Sequence, residues 1–464
     1  MKYAVFSFEG NGFPIAKHLL DEGQEVLVGQ VEDINKVLTS QEKAAGITEE
    51  PEEKELRMKR YNNIVNKIPA DELIERLKKE PNPQEWFVFF DTNNLFYYAQ
   101  QLQDLGFNGN FPTEEDRLFE IDRDKAKEFV IHYYPDVKVA QKQSFKTIEE
   151  TKKFLQETND IWVLKSQTDD IPTFVPETTD VAMAIRQVEE TLDVFKEGYE
   201  TSGLFLEKKI ENIVEVTPEK YYYNGKPIAL SINIENKFLG SGNLSMQVGC
   251  AGDFVFPIEM GCKIDTLCFP KIVDEIAKQH KGFFIWDASL LIDPKTNDIY
   301  FGEFCPNRPG YNSIFTEIAQ APSVHEFFEN IVAGKNPFTS GVLGTSLMLF
   351  NVLRDNKDQL LADASIEVAP ETEKHMWPYD VYKKSPADNL RTVGWDHHLS
   401  PITGTGKTIT EAVDNLYKHV EGFAMTRVYY RPKFDYLSKD YTTSILNRLD
   451  YCLQQNLFSF PFSF

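Results

Sequence analysis

A carboxylate pair in a predicted β-hairpin is the most specific chemical feature of the sequence. Asp287 and Glu303 flank the turn PKTND, and an antiparallel register predicts that they face each other about 5 Å apart. Like charges at this distance repel unless a cation lies between them, and Mg²⁺ prefers oxygen ligands. The flanks FFIW and YFGEF are too apolar for a solvated pair. The sequence therefore predicts a Mg²⁺ site, which Asn307 or Cys305 completes; Asn307 is favoured because a thiol is a soft ligand.

Other predicted strands carry groups that suit a nucleotide. Lys165 ends the apolar strand IWVLK, where an ammonium group can hold phosphates, although many strands end in an ordinary lysine. The strand LFLEKKIENIVEV offers the backbone of Lys208 and Ile210 to a purine. Its carboxylates, Glu207 and Glu215, can accept hydrogen bonds from ribose hydroxyls.

Two further cations suit anionic substrates. Lys237 precedes the glycine-containing loop 240–243, whose backbone N–H groups can approach an anion. Arg308 follows the second hairpin strand, and a guanidinium group binds a carboxylate through two parallel hydrogen bonds. Both are interpreted as catalytic residues, and the alternative for Arg308 is an ordinary surface arginine.

The elements that position these residues begin with an open α/β sheet. The strand KYAVFSF, a helix and the strand EVLVGQV form a βαβ unit, and EWFVFFD adds a buried strand before the sheet ends near Asn110. The segment 42–79 has no strand pattern and is predicted to be exposed helix. Ligands of such sheets bind beyond the carboxyl ends of strands, which points to 9–13 and 91–94. The first of these loops could equally be a tight turn.

The fold class is therefore α/β in the first segment and α+β in the next. The predicted units are an N-terminal substrate domain (1–115), a nucleotide- and Mg²⁺-binding domain (116–337), a small C-terminal α/β domain (338–436) and a helical tail (437–464). The aromatic end of the tail, FSFPFSF, is predicted to dock on the body of the protein because it lacks the length and basic flanks of a membrane anchor.

Composition limits the class of protein. The 464 residues are 42% hydrophobic and carry a net charge of −23, which describes a folded protein without broad affinity for nucleic acid or anionic lipid. No apolar run approaches the roughly 20 residues that span a bilayer, and no signal peptide is evident, so we expect a cytoplasmic monomer or homodimer.

Cysteine and histidine give no pattern for zinc. The five cysteines lack a CxxC pair, which indicates reduced thiols. The adjacent residues His397 and His398 are predicted to be structural or solvated, because no spacing typical of metal ligands surrounds them.

The order of these motifs resembles the ATP-grasp superfamily, and in detail the phosphoribosylamine–glycine ligase family. The stretches that carry the resemblance are DRDKAKEF, ENKFLGSGN, IYFGEFCPNR, GKTITEAVDNLY and VYYRPKFDY. It implies an ATP-grasp fold with an N-terminal open α/β (pre-ATP-grasp) domain. It further implies ATP phosphates at Lys127 and Lys165, adenine at Glu207, Lys208 and Ile210, ribose at Glu215, triphosphate at Lys237, and Mg²⁺ at Asp287 and Glu303.

Departures from the family affect the substrate more than the nucleotide. The phosphate-binding GGREHA loop is here EGNGFPIA, the glycine-rich flap is SQTDDIPTF, and Cys305 replaces an asparagine of the metal site. The resemblance implies an ATP- and Mg²⁺-dependent ligase that joins a carboxylate, such as glycine or another amino acid, to an amine other than phosphoribosylamine, such as a modified nucleotide. The alternative is a nucleotide-binding scaffold that has lost catalysis.

Overall fold

A parallel α/β sheet forms the N-terminal part of the protein. The computed structural model describes residues 1–44, 46–166, 173–176, 178–244, 247–309, 313–357 and 359–463. The first elements are β1 (Lys2–Ser7), α1 (Gly12–Asp21), β2 (Val26–Gln30), α2 (Ser40–Ala44), α3 (Pro51–Lys59), β3 (Lys67–Pro69), α4 (Ala70–Leu77), β4 (Trp86–Phe90), α5 (Phe96–Ala99) and β5 (Asn108–Gly109). The strands pair in parallel in the order β3-β2-β1-β4-β5.

Sequence explains most of this sheet. β1 and β4 are apolar runs whose residues are almost all buried, as expected for central strands that helices cover on both faces. The sheet ends at Gly109, next to the predicted limit. The prediction of helix throughout 42–79 is wrong for Lys67–Pro69, which pairs with β2. This edge strand is too short to show an alternating pattern.

A small antiparallel sheet follows two connecting helices. The elements here are α6 (Glu114–Ile121), α7 (Arg123–Tyr133), β6 (Lys142–Phe145), α8 (Ile148–Glu157), β7 (Trp162–Ser166), α9 (Val181–Val194), α10 (Lys196–Ser202) and β8 (Leu204–Lys208). The strand order is β6-β8-β7. Trp162, Leu164 and Leu206 share a separate apolar core with Leu155 of α8 and Val188 of α9. This core holds β7 and β8, the strands of Lys165 and Glu207, in a small lobe.

Long antiparallel strands make the central part of the chain. The elements are β9 (Val214–Tyr223), β10 (Lys226–Phe238), β11 (Gln247–Pro257), α11 (Lys263–Cys268), α12 (Lys271–Ala277), β12 (Phe283–Ile292), β13 (Ile299–Phe304), α13 (Ser313–Ile318), α14 (Val324–Val332) and β14 (Leu343–Asn351). β9 and β10 form a hairpin in which Asn224 and Gly225 both have positive φ, the backbone of a type I′ turn.

The central sheet continues into the C-terminal part of the chain. The remaining elements are β15 (Ser365–Val368), α15 (Pro370–Glu373), β16 (Val381–Tyr382), β17 (Leu390–Thr392), β18 (His398–Gly406), α16 (Ile409–Val420), β19 (Phe423–Met425), β20 (Val428–Tyr429), α17 (Lys433–Leu437) and α18 (Ile445–Gln454). The sheet runs β13-β12-β9-β10-β11-β14-β18, and β20 also pairs with β14. It therefore crosses the predicted domain boundary between 337 and 338. A second small sheet has the order β16-β17-β15-β19.

Aromatic side chains join the tail to the central sheet. Phe458, Phe460 and Phe462 lie with ring centroids 4.9–6.3 Å from that of Phe256 on β11. The prediction that this tail docks on the protein is confirmed by these contacts. No helix within the described ranges is long and apolar enough to cross a membrane.

Candidate active site

One face of the central sheet is lined with carboxylates. Side chains two residues apart, and those directly opposite on paired strands, share a face of a sheet. Glu219 is paired with Asp287, Glu235 with Asp253, and Ser289 with Glu303. We call this the acidic face; its ionisable residues are Glu215, Glu219, Glu235, Lys237, Asp253, Asp287 and Glu303.

Burial makes the charges of the acidic face costly. The pKa of Asp253 is raised to about 7 by burial, and Glu235 opposite it adds to the effect. Burial also raises the pKa of Asp287, and the carboxylates of Glu235 and Glu303 raise it further. From the opposite side, Glu317 of α13 covers the face and accepts a hydrogen bond from Ser231 at 3.0 Å. This face therefore favours protons or bound cations over free carboxylates.

A cavity of about 300 Å³ lies between the acidic face and the small lobe. Residues from both sides line it, among them Lys165, Glu207, Lys208, Ile210, Glu215, Lys237, Ser289 and Glu303. The structure thus brings most of the sequence-predicted nucleotide residues to one cavity. β7 and β8 supply its upper wall, and β9, β10, β12 and β13 supply the lower one.

Glu207 forms ion pairs with both lysines that are predicted to bind ATP phosphates. Its carboxylate lies 2.5 Å from Lys165 Nζ and also forms an ion pair with Lys127 from α7. Burial opposes ionisation of Glu207, but Lys165 and Lys127 outweigh this effect and lower its pKa to about 2. Both ammonium groups are therefore already neutralised, and a polyphosphate would have to compete with Glu207 for them.

Lys208 and Ile210 line the same cavity, but Lys208 has protein partners. Its backbone N–H donates to the carbonyl of Gln141 at 2.9 Å, and its ammonium group lies 2.8 Å from Asp160. The Lys208 N–H is therefore already used by Gln141, just before β6, and a purine contact through the other backbone groups of Lys208 and Ile210 stays a prediction.

Lys237 lies between carboxylates of the acidic face. Its Nζ is 2.5 Å from Glu235 and 3.5 Å from Glu215. Burial alone would lower the pKa of Lys237, but Glu215 and Glu235 raise it well above its usual value. Ser289 donates to Glu215 at 3.1 Å. Lys237 is thus a fixed positive charge at the end of the cavity. One carboxylate oxygen of Glu215 already accepts a hydrogen bond from Ser289.

The predicted register of the metal pair is wrong by two residues. Glu303 is paired with Ser289, and the backbone N–H of Cys305 donates to the carbonyl of Asp287 at 3.2 Å. The pairs next to the turn, such as Ile292 with Ile299, are already one residue from the predicted register, and the β-bulge at Gly302 adds the second residue. Asp287 and Glu303 still share the acidic face, diagonally rather than directly opposite.

The side-chain amide nitrogen of Asn307 has a protein partner. Its amide Nδ2 lies 3.4 Å from Asp116, and its backbone N–H donates to Ile285. Asp116 also caps α6 and contacts His280 at 3.0 Å. Asn307 adopts a positive φ of 51°, which turns it away from the strand direction of β13. In this orientation the amide nitrogen contacts α6, and a metal contact of the Asn307 oxygen stays a prediction.

Arg308 lies at a second, larger cavity of about 860 Å³. Its guanidinium group pairs with Glu120 of α6 and lies 3.3 Å from Glu9, which belongs to the predicted ligand loop after β1. Glu120 also accepts a hydrogen bond from Asn93 at 2.7 Å. The N-terminal sheet, the helices after it and the C-terminal part all contribute to this cavity, with Trp395 from the last of these.

The loop after β1 is braced from inside the protein. Asp91, at the carboxyl end of β4, accepts hydrogen bonds from Ser7 at 2.5 Å and from the Gly12 N–H at 3.0 Å. This buried carboxylate explains the tight turn, whereas Glu9 extends into the large cavity. The two sequence interpretations of the loop, a turn and a ligand site, are therefore compatible.

Solved structures share this architecture. Phosphoribosylamine–glycine ligase from Thermotoga maritima matches with a TM-score of 0.61 at 14% identity, over 93% of this chain and 99% of that chain. Biotin carboxylase from Campylobacter jejuni, solved with β-γ-ATP, matches with a TM-score of 0.56 at 12% identity, over 98% and 97%. The chain has the ATP-grasp fold.

A third ATP-grasp structure gives the same result. The biotin carboxylase domain of 2-oxoglutarate carboxylase from Hydrogenobacter thermophilus, solved as a dimer with MgADP, ADP and bicarbonate, matches with a TM-score of 0.54 at 14% identity, over 92% and 91%. No protein-family model and no curated protein matches the sequence. The fold expected from the order of motifs is therefore confirmed, at a level of identity where sequence comparison finds nothing.

The candidate site contains residues that the sequence analysis missed. Glu235 precedes Lys237 by two residues, and this spacing on a strand was the signal that both share a face. Glu219 and Asp253 gave no such signal, because only the pairing of distant strands places them beside Asp287 and Glu235. Of the flap SQTDDIPTF, residues 167–172 lie outside the described residues.

Proposed function

We propose that the protein is an ATP- and Mg²⁺-dependent carboxylate–amine ligase that forms an acyl phosphate. The observation that carries the proposal is that Arg123 lines both cavities. A phosphate donor held at Lys165 and Lys237 would therefore be next to a carboxylate held at Arg308. Positioning reactants in this way can supply much of the acceleration of a phosphoryl transfer.

The acidic face fits a magnesium ion. Asp287, Glu303 and Glu235 offer the oxygen ligands that Mg²⁺ requires, and burial with mutual repulsion makes a cation there favourable. In the proposed reaction, Asp287 and Glu303 hold Mg²⁺, which neutralises charge on the transferred phosphoryl group when bound. Asn307 is not needed for this set.

The chain's own residues have separate roles in the proposed reaction. Lys127 and Lys165 bind the ATP phosphates in place of Glu207, while Glu207 and Ile210 line the base pocket and Glu215 accepts ribose hydroxyls. Lys237 stabilises the charge on the phosphoryl oxygens. Arg308 orients the substrate carboxylate, whose oxygen attacks the γ-phosphorus as the bond to ADP breaks. An amine nitrogen then attacks the acyl carbon, phosphate leaves, and the nitrogen loses a proton.

The similar solved structures support the proposed cofactors, ATP and Mg²⁺, and do not indicate the substrates. They include a phosphoribosylamine–glycine ligase and biotin carboxylases bound to an ATP analogue or MgADP. For this chain we propose ATP and Mg²⁺, a small carboxylate such as an amino acid, and an amine. A cytoplasmic location and a monomer or homodimer remain part of this proposal.

The amine is proposed to differ from phosphoribosylamine. The loop that holds the sugar phosphate in the resembling family is here EGNGFPIA, and its Glu9 adds a negative charge at 3.3 Å from Arg308. A phosphate at this position would be repelled by Glu9. Phosphoribosylamine with glycine should therefore give poor ADP release.

A catalytically inactive nucleotide-binding scaffold is the second candidate. The ion pairs of Glu207 with Lys127 and Lys165 favour it, because they close the phosphate site in the absence of ligand. Such a scaffold would bind ATP but would not release ADP with any pair of substrates.

An ADP-release screen separates the two candidates. Purified protein with ATP and Mg²⁺ is tested against amino acids crossed with amines, phosphoribosylamine included, and ATP binding is measured in parallel. ADP release that requires both a carboxylate and an amine supports the ligase. Binding without turnover across the screen supports the scaffold, and absence of ATP binding contradicts both.

A further inference from the structure

The segment Asp396–His398 brings metal-type ligands together at the start of β18. Nδ1 of His397 and Nδ1 of His398 each lie 3.1 Å from Oδ1 of Asp396. The three ligand atoms all lie within 4.8 Å of one another. Neighbouring residues of a regular strand point to opposite faces, so this convergence needs an irregular backbone.

A β-bulge supplies that irregularity. The ladder between β14 and β18 pairs Phe350 with His398 and skips Leu399. The bulge changes the direction of the side chains at the strand end. The rings of His397 and His398 consequently lie side by side, with centroids 4.0 Å apart, and the ring of Phe350 covers both.

The hydrogen bonds of His398 orient a lone pair at Asp396. Nε2 of His398 lies 2.8 Å from the carbonyl oxygen of Val248 on β11. A carbonyl only accepts, so Nε2 carries the hydrogen, and in the neutral ring Nδ1 directs its lone pair at the carboxylate. Two acceptors face each other at this distance only with a proton or a metal ion between them. Metal-binding histidines usually donate their other N–H to a backbone carbonyl in this way.

We propose that Asp396, His397 and His398 form a binding site for a Zn²⁺-type transition-metal ion. Two imidazole nitrogens and a carboxylate oxygen are a ligand set of zinc sites that keep one position open, and they suit Mg²⁺ poorly. Asp396 also lines the cavity of about 860 Å³, so the remaining ligand can come from water or a molecule in that cavity. The site is independent of the ATP and Mg²⁺ residues on the acidic face.

Metal titration of the purified full-length chain tests the site. After chelator treatment and dialysis, Zn²⁺ is titrated by calorimetry, and Co²⁺ is added separately to record the visible absorption of tetrahedral cobalt. We expect one Zn²⁺ per chain and little heat from Mg²⁺. His398→Ala and Asp396→Asn should weaken Zn²⁺ binding by more than about 100-fold, beyond the loss caused by removing an outer-shell partner.

An exposed histidine provides the matched control. His132 lies on the surface of α7, and His132→Ala should bind Zn²⁺ like the unchanged protein. Thermal unfolding checks that each variant is folded, and Asp396→Asn, which keeps the side-chain shape, serves if His398→Ala does not fold. Absence of stoichiometric Zn²⁺ binding, or equal binding by the folded Asp396→Asn and His132→Ala variants, would overturn the proposal.

Discussion

Lys165 provides the most direct test of the nucleotide site. Lys165→Ala removes one ammonium group from the phosphate site and leaves Lys127 to pair with Glu207. Loss of a hydrogen bond to a charged group costs about 1.5–3 kcal/mol, so ATP should bind roughly 10- to 150-fold more weakly. Calorimetric titration with ATP measures this.

The matched control for this prediction is another lysine of the small lobe. Lys153 is exposed on α8, and Lys153→Ala should leave ATP affinity unchanged. Equal affinities of the two variants, with both folded, would place the nucleotide somewhere other than the cavity between the small lobe and the acidic face.

Removal of the single negative charge of Glu303 tests the proposed Mg²⁺ site. Glu303→Gln keeps the side-chain shape and removes a negative charge that raises the pKa of Asp287. The thermal midpoint should therefore stay equal or rise, while Mg²⁺-dependent ADP formation should fall by at least about tenfold. The measurement is ADP release against Mg²⁺ concentration.

Two neighbours of Glu303 serve as comparisons. Cys305→Ser should keep the Mg²⁺ dependence, because the structure uses the backbone of Cys305 in the hairpin. Asn307→Ala should act on stability through the loss of its contact with Asp116. Full activity of Glu303→Gln at every Mg²⁺ concentration would remove Glu303 from the metal site.

Helix α13 determines part of the pH dependence of stability. Burial raises the pKa of Glu317 to about 7, whereas an unfolded glutamate titrates near about 4.3. Between these values the folded protein holds a proton that the unfolded chain has lost, so stability falls as pH rises from about 4 to about 7. Glu317→Gln cannot titrate and should reduce this fall, by on the order of 2 kcal/mol.

Denaturant unfolding at about pH 5 and about pH 8 measures the effect on either side of this pKa. Asp253, whose pKa is raised to about 7, continues to titrate in the variant, so the fall should shrink rather than vanish. Glu190→Gln on the exposed surface of α9 is the control and should follow the unchanged protein. The same pH profile for both variants would show that Glu317 ionises normally in the folded state.

The tail links the last part of the chain to the central sheet. Phe458 is buried against Phe256, and Phe458→Ala should lower stability by about 3 kcal/mol through lost packing. Phe434 is 56% exposed, and Phe434→Ala should change stability by no more than about 0.5 kcal/mol. Thermal unfolding of both variants measures the difference, and equal midpoints would mean that the tail is not part of the folded core.

The large cavity belongs to the whole molecule rather than to one domain. Glu9 follows β1, Arg308 follows β13, and Trp395 precedes β18. A ligand in this cavity would therefore contact parts of the chain that are far apart in sequence. This arrangement explains why the sequence indicates the nucleotide more clearly than the second substrate.

Local patterns in the sequence were sufficient for many of the strands and for several residues that line the cavity next to the acidic face. Apolar runs such as YAVF and WFVFF give buried parallel strands, and Lys165, Glu207 and Lys237 lie within single strands or next to them. These features depend on periodicity and on the chemistry of one segment. Both can be derived from neighbouring residues alone.

Pairing between distant segments was decided only by the tertiary structure. The register at the turn and the bulge at Gly302 together moved Glu303 from Asp287 to Ser289, since each shifts the pairing by one residue. Glu219 faces Asp287 because β9 and β12 pair, although the two residues are more than 60 positions apart. Side-chain alternation within one strand does not indicate which distant strand will pair with it. The sequence by itself determined most of the segments that form strands and the lysines that we propose for phosphate; the packing of those strands decided which carboxylates share a face.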